Sequence, residues 1–251
     1  MKTQSHRSTE RVLDILELLS QDNSYTLSEI ASALNSPKSS LFPLMRTLRD
    51  RGYVSRKSDS NRYQLGFKAF EVGMKYANHT GIYDDILGIM QNIVKLCSES
   101  CNFAELIGGD ALCLMKVDSP EAIRMFSAPG RRMPAYSTAI GKVLIADKTK
   151  KEIEMLYPDG LLPVTKNTIL DLDVLLEQLK EVRCKEIATE VEENALMIRC
   201  IAVPIKRARD TIAGLSVAIP TFRYSKTKEN LIIKLLNEAR RKIELLLMNC
   251  F

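Results

Sequence analysis

The chain has 251 residues, 45% of them hydrophobic, and its 36 basic and 31 acidic residues give a formal net charge of +5. This length allows one large or two modest domains with ordinary buried cores. No stretch is apolar enough to span a membrane, and residues 1–11 lack the apolar region of a secretory signal, so we expect a cytoplasmic protein.

Cysteine usage agrees with that expectation. None of the six cysteines forms a CxxC pair, and most lie in apolar runs: Cys97, Cys101, Cys113, Cys184, Cys200 and Cys250. This pattern is typical of reduced core residues rather than of a disulfide or zinc framework, and it predicts no metal site.

Three helices are predicted in the first 52 residues. Ser8 is the expected cap of the first helix, and Thr26 with Glu29 forms a capping box at the start of a short second helix. For the third helix the pattern predicts Ser36 as the N-cap and Pro37 as the first helical residue. One apolar stripe and a C-terminal glycine define the rest of this helix: Leu41, Leu44, Met45, Leu48 and Gly52.

The segment YVSRKSDSNRYQL follows, and it reads as two short strands around a turn at residues 58–61. Two helices joined by a tight turn and followed by a β-ribbon make a winged helix-turn-helix. The sequence therefore predicts a domain over residues 1–66.

Positive charge is concentrated in this domain. Residues 36–68 contain two acids, Asp50 and Asp59, against eight bases: Lys38, Arg46, Arg49, Arg51, Arg56, Lys57, Arg62 and Lys68. The difference, eight minus two, is +6 in a chain whose total is +5. A helical hairpin that serves stability alone is the alternative interpretation. The charge favours binding to double-stranded DNA.

A further helix is predicted from residue 67 to about residue 78, with one apolar side formed by Phe67, Phe70, Met74 and Ala77. We interpret residues 67–81 as a linker helix that packs on a partner subunit, and a plain connector is the alternative. His79-Thr80-Gly81 marks the expected domain boundary.

Residues 82–251 are predicted to form a second domain of the α+β class, an antiparallel sheet flanked by helices. Its expected strands are CNFAELI and DALCLMKVD around Gly108-Gly109, AIRMFS, and residues 197–205 and 212–219. Its expected helices are 82–98, a helix after the loop PGRRMPAYS with Thr138 as its cap, 151–156, 172–182 and 226–248.

No catalytic constellation is visible in the second domain. The two histidines, His6 and His79, precede it, and the chain has neither a P-loop nor a dinucleotide fingerprint, so we expect no catalytic residue and no cofactor. The acidic run Glu190, Glu192 and Glu193 is expected to lie mostly at the surface. The sequence favours a sensor or dimerising domain. An enzyme with an accessory winged helix and a ligand-free architectural DNA-binding protein are the alternatives.

Several blocks resemble the IclR (isocitrate lyase regulator) transcriptional regulators, in order along nearly the whole chain. They are ERVLDILELLS, TLSEIASAL, SPKSSLFPLMRTLRDRGYV, NRYQLG, KVDSP, GRRMPAYSTAIGK, EENALMIRCIAVPI and AGLSVAIP. The resemblance implies a homodimer or homotetramer that binds operator DNA. It also implies a C-terminal domain similar to the GAF fold, which senses a small organic acid, and a regulator (by hypothesis a repressor) of a catabolic operon.

The same resemblance implies two sets of site residues. The DNA-binding set is Pro37, Lys38, Ser39, Ser40, Phe42, Arg46, Arg56, Lys57 and Arg62. The effector-binding set is Ala139, Ile140, Glu190, Ile198, Cys200, Ser216 and Ala218. Free N–H groups at the start of a helix suit a carboxylate, whereas Glu190 would repel one and would accept hydrogen bonds from ligand hydroxyls.

Two residues of the third helix depart from the family pattern. Phe42 and Pro43 stand where a histidine or arginine is common. Pro43 is expected to kink the helix, because it removes the hydrogen bond to the Ser39 carbonyl. Phe42 is then expected to face a thymine methyl group or the DNA backbone instead of the core.

Overall fold

A computed structural model of the chain describes residues 6–21, 24–57, 60–77, 81–123 and 128–249. The chain divides into an N-terminal unit that ends at Gly81 and a C-terminal unit that begins at Ile82. No helix of the described residues is both long and apolar enough to cross a membrane.

The N-terminal unit contains four helices and a two-stranded antiparallel ribbon among its described residues. They are α1 (Arg7–Leu19), α2 (Leu27–Ala33), α3 (Lys38–Asp50), β1 (Val54–Arg56), β2 (Tyr63–Leu65) and α4 (Phe67–Ala77). The apolar stripes of α1, α2 and α3 meet in one core with the ribbon, built from Ile15, Leu19, Ile30, Leu41, Met45, Leu48, Val54 and Tyr63. The predicted winged helix-turn-helix architecture is confirmed.

Local hydrogen bonds fix the ends of these helices. The predicted capping box opens α2, with the Thr26 N–H donating to Glu29 Oε2 at 2.7 Å. At the end of α3, the left-handed Gly52 (φ 77°) donates to the Arg49 carbonyl, and the Tyr53 N–H donates to the Leu48 carbonyl. This is a Schellman motif, which satisfies carbonyl groups that the helix leaves unpaired.

Two predicted N-caps are wrong. Pro37 has an extended backbone (ψ 138°) and is itself the N-cap of α3, because its carbonyl accepts the first helical bonds from Ser40 and Leu41. Ser36 instead donates its hydroxyl to the Leu34 carbonyl. Ser8 lies inside α1, whose N-cap is His6.

The C-terminal unit is an antiparallel six-stranded sheet with helices on both faces. In chain order its elements are α5 (Ile82–Cys97), β3 (Ser100–Ile107), β4 (Asp110–Val117), β5 (Arg132–Pro134), a 3-10 turn (Ala135–Ser137), α6 (Ala139–Ile145), α7 (Lys150–Leu156), α8 (Leu172–Lys185), β6 (Ala188–Val191), β7 (Ile198–Arg207), β8 (Asp210–Pro220), a 3-10 turn (Thr221–Arg223) and α9 (Lys226–Asn249). The strand order is β5-β4-β3-β8-β7-β6. The predicted α+β class is confirmed.

The two faces of this sheet carry side chains of different size. Large residues such as Val203, Leu215 and Val217 pack against α5 and α9. On the opposite face, small residues such as Ala104, Ala202 and Ala218 pack against α6 and neighbouring residues. Small side chains there let α6 approach the sheet and leave room at its N-terminal end.

Two strand predictions need correction. Ala122 and Ile123 of the predicted strand AIRMFS form a bend, and residues 124–127 lie outside the described residues. The strand in this region is β5, within the segment predicted as a loop, because Arg132 and Met133 pair with Leu112 and Ala111. Strand β6 was not predicted.

Cys184 is exposed, so the expectation that the cysteines are core residues fails there, whereas Cys250 lies outside the described residues.

Candidate functional site

Helix α3 presents one buried and one exposed face. Leu41, Met45 and Leu48 are buried in the core of the N-terminal unit. Three residues spaced by four share the exposed face, namely Lys38, Phe42 and Arg46. Basic groups therefore stand at both ends of this face, and an aromatic ring stands between them.

The remaining predicted residues of this helix end differ in their surroundings. Pro37 and Ser39 are exposed, whereas Ser40 is half-buried and donates its hydroxyl to the Pro37 carbonyl at 2.8 Å. The Arg46 side chain is 70% exposed and lies 3.7 Å from Asp50. Such an exposed pair is weak, so Arg46 can turn toward another anion.

The basic residues of the wing, which is the ribbon of β1 and β2 with the residues between them, fall into two groups. Arg56 and Lys57 are exposed, and the Arg56 guanidinium donates to the Asn61 amide oxygen. Arg62 is instead half-buried and hydrogen-bonded within the N-terminal unit. Its Nε donates to the Ser24 carbonyl at 2.8 Å, and its terminal nitrogen lies 2.9 Å from Glu29 Oε2. The guanidinium group of Arg62 therefore links the start of β2 to the start of α2 through its hydrogen bonds to Ser24 and Glu29.

In the C-terminal unit, a cavity opens between the start of α6 and the sheet. It is lined by Asn102, Met133, Thr138, Ala139, Ile140, Glu190, Asn194, Ala195, Ile198, Cys200 and Ser216. Six of the seven residues predicted for the effector site are among them. The seventh, Ala218, is buried beside Cys200 on the same sheet face and does not line the cavity.

The start of α6 lies close to the turn before it and to strand β8. Thr138 caps the helix, and its hydroxyl accepts the Gly141 N–H at 3.0 Å. A Cβ atom on Gly141 would lie 2.2 Å from the Ala135 carbonyl oxygen, so only glycine allows the preceding turn to pack here. A Cβ atom on Gly214 of β8 would lie 2.8 Å from Ile140 Cγ1 and 3.2 Å from the Ile140 carbonyl oxygen, so this glycine lets α6 approach the sheet. The N-terminal end of α6 is therefore packed closely against the preceding turn and against β8.

Glu190 is a buried carboxyl group at the cavity, 2% exposed. Its Oε1 accepts the backbone N–H groups of Glu193 at 2.6 Å and Asn194 at 3.2 Å. Burial raises the pKa of Glu190 to about 7, although these two bonds and a contact with Cys200 oppose the shift. No ion pair with Glu190 occurs among the described residues, so it is held by neutral donors only.

Lys142 and Glu193 form a buried ion pair beside this carboxyl group. Lys142 is 1% exposed, and its Nζ lies 2.7 Å from both carboxylate oxygens of Glu193 and 2.8 Å from Gln178. The Thr168 hydroxyl donates to the Glu193 carbonyl at 2.7 Å. The segment that positions Glu190 is therefore attached to α6 through Lys142.

The predicted surface role of the acidic run is therefore wrong. Glu190 and Glu193 are buried, and Glu192 is half-buried. Burial raises the pKa of Glu193, and Lys142 opposes that effect. Across the described part of the chain, no cluster of three or more His, Cys, Asp or Glu residues could hold a metal ion.

Two protein-family models match the chain. "Bacterial transcriptional regulator IclR C-terminal" matches residues 74–245, and "IclR helix-turn-helix domain" matches residues 8–58. The chain belongs to the IclR family. It is accordingly a DNA-binding transcriptional regulator and not an enzyme.

Known members of the IclR family resemble the chain over nearly its full length. The HTH-type transcriptional regulator KdgR of Escherichia coli K12 is 32% identical over 239 residues, which are 94% of this chain and 90% of KdgR. An IclR transcriptional regulator from Alicyclobacillus acidocaldarius has a TM-score of 0.87 at 23% identity, covering 96% of this chain and 98% of that one. An IclR homologue from Microbacterium hydrocarbonoxydans, solved with 4-hydroxybenzoate, has a TM-score of 0.83 at 22% identity over 95% and 98% of the chains.

Sequence reasoning missed five residues that line the cavity of this IclR-family chain: Asn102, Met133, Thr138, Asn194 and Ala195. Asn102 carried a usable signal, since it is a polar residue in an apolar strand. It faces Ser216 directly in the pairing of β3 with β8. Thr138 was identified as a helix cap only.

Proposed function

We propose that the chain is a repressor whose residues 1–66 bind operator DNA and whose residues 82–251 bind a small organic acid that alters operator affinity. The observation that carries the ligand half of this proposal is the cavity at the start of α6, which six residues of the predicted effector set line together. A catabolic operon is the proposed target, and the bacterial cytoplasm is the proposed location.

For DNA, we propose that the N-terminal end of α3 enters the major groove and that the wing follows the backbone. Lys38 suits a phosphate or a guanine edge, and Ser39 suits a phosphate oxygen. The exposed side chains of Arg46, Arg56 and Lys57 support contacts with phosphates. The two internal hydrogen bonds of Arg62 favour a role in positioning the wing over a direct DNA contact.

For the effector, we propose a carboxylate at one end and a hydroxyl at the other. The carboxylate would accept from the N–H groups of Ala139 and Ile140, whereas the hydroxyl would donate to Glu190. Asn102 and Ser216 face each other on β3 and β8, and both also line the cavity. The Microbacterium homologue binds 4-hydroxybenzoate, which has this arrangement of a carboxylate and a distant hydroxyl.

Regulation requires that the two activities are coupled. We propose a homodimer or homotetramer in which the linker helix, α4, packs on a partner subunit. The exposed side chains of Phe67 (71%) and Phe70 (59%), whose ring centroids are 5.6 Å apart, support that role. An effector that favours one arrangement of the dimer would change the spacing of the recognition helices, and a coupling of about 1–3 kcal/mol alters occupancy 5- to 150-fold.

A thermal-shift screen tests the ligand proposal. The panel contains hydroxy monocarboxylates, including 4-hydroxybenzoate, each beside its analogue without the hydroxyl and the corresponding dicarboxylate. We expect the hydroxy acid of at least one set to stabilise the protein more than its two analogues do. Ser216→Val should reduce that stabilisation, and Val174→Ala, on the exposed surface of α8, serves as the control. Equal stabilisation by all three members of every set would contradict the proposal.

A further inference from the structure

The exposed face of α3 contains one large apolar side chain among its described residues. Phe42 is 55% exposed and lies between Lys38 and Arg46, with the exposed Pro43 next to it. The apolar stripe of α3 is already complete on the opposite side of the helix, so the core of the unit does not need this ring.

Phe42 also contributes to a groove between α3 and the wing. The groove is lined by Phe42, Met45, Arg46, Arg49 and Tyr63. Arg46 and Arg49, which share one acidic partner in the exposed Asp50, give its rim a net positive charge, and aromatic rings form part of its wall. Its complement is therefore an anionic partner that also presents an apolar group, and duplex DNA meets both requirements.

The chemistry of the bases indicates which group of the DNA the Phe42 ring contacts. Phosphates and the polar base edges interact through charge and hydrogen bonds. A phenyl ring has no charged group and no hydrogen-bond donor or acceptor to pair with them. The apolar group that base edges present in the major groove is the C5-methyl of thymine, and phenylalanine is among the residues that contact it. We infer that Phe42 reads the methyl group of a thymine in the operator and is a specificity-determining residue. The inference rests on the proposed position of α3 in the major groove.

A uracil scan tests this without knowledge of the natural operator. Binding duplexes are selected from a random pool with the full-length protein, and each thymine of the selected site is replaced in turn by deoxyuridine, which lacks only the methyl group. We expect one position in each half-site to lose affinity about fourfold, the factor that corresponds to about 0.8 kcal/mol for one buried methyl group. A selected site in which no thymine methyl affects affinity would overturn the inference.

A double-mutant cycle then assigns the methyl contact to Phe42. We expect Phe42→Ala to bind the thymine and deoxyuridine duplexes equally well, because the ring that senses the methyl group is gone. Lys38→Ala is the matched control from the same face, and it should weaken both duplexes while preserving their fourfold difference. An unchanged difference in Phe42→Ala would overturn the inference.

The scan on the unaltered protein can still overturn the inference if the Phe42→Ala variant does not fold. Failure to select any duplex would overturn the proposed DNA contact and this inference together. Binding that is insensitive to every methyl group would overturn this inference alone.

Discussion

Replacement of Glu190 by glutamine should stabilise the protein at alkaline pH and have little effect in acid. Glutamine keeps the shape of the side chain, and its Oε1 can still accept the N–H groups of Glu193 and Asn194. What it removes is the ability to ionise. Because Glu190 is buried without a cation, its ionised form is the unfavourable one.

The pKa of Glu190 sets the magnitude and the pH window. Burial raises this pKa from 4.5 to about 7, a difference that corresponds to about 3 kcal/mol. Below pH 4.5 the carboxyl group is protonated in both the folded and unfolded states and contributes nothing. Between pH 4.5 and 7 the folded state retains a proton that the unfolded state has lost, so stability falls as pH rises. Above pH 7 the full penalty applies.

Urea unfolding measures this difference. Both proteins are unfolded at fixed concentration from pH 5 to 8.5 and followed by far-UV circular dichroism, since oligomers change stability with concentration. We expect the free energy of unfolding of Glu190→Gln, minus that of the unaltered protein, to grow by roughly 2–3 kcal/mol across this range. Titrations shared by both proteins cancel in the subtraction.

Glu193→Gln is the matched control. Glu193 lies three residues away, but it is paired with Lys142 at 2.7 Å, so its replacement leaves a buried ammonium group without its counter-charge. We expect this variant to be less stable than the unaltered protein throughout the pH range. Parallel stability curves for Glu190→Gln and the unaltered protein would refute the reasoning, as would a loss of stability in Glu190→Gln at pH 8.5.

Three further substitutions test separate parts of the structure. Lys38→Ala should weaken DNA binding and reduce the slope of log K against log salt by about 1, measured by fluorescence anisotropy at several salt concentrations. Gly141→Ala should lower the free energy of unfolding by about 1–3 kcal/mol in urea titrations, because its Cβ would lie 2.2 Å from the Ala135 carbonyl oxygen. Lys142→Met should destabilise the protein by about 3–5 kcal/mol in the same assay, since Glu193 is left buried and unpaired.

The N-terminal unit was largely predictable because its signals are local. A stripe at Leu41, Met45 and Leu48 follows the helical period, and Thr26 with Glu29 forms a capping box within one turn. The cap of α3 was mispredicted because Ser36 and Pro37 both suit a helix start. The choice between them depends on a backbone angle, the ψ of 138° at Pro37, which composition does not determine.

The cavity was only partly predictable, and β6 explains why. Its residues alternate between buried and exposed, but the buried positions hold Ala188 and Glu190, whereas Val191 is exposed. The sequence Ala-Thr-Glu-Val therefore lacks the alternation of apolar and polar residues that identifies a strand. Glu193 was misassigned for a related reason, since its burial depends on Lys142, a residue 51 positions earlier in the chain.

The number of basic residues in the sequence likewise does not show which of them can contact DNA. It nevertheless leads to a quantitative expectation for the salt dependence of DNA binding. Eight cations between residues 36 and 68 would give a salt slope of about −7 for each subunit if all contacted phosphates. Arg62 is engaged by Glu29, and Lys68 lies 2.6 Å from Glu71. The four basic residues of the DNA-binding set other than Arg62 would alone give a slope of about −3.6: Lys38, Arg46, Arg56 and Lys57. A measured slope near −7 for each subunit would show that the internal ion pairs open on DNA, and that Arg62 binds phosphate rather than holding the wing.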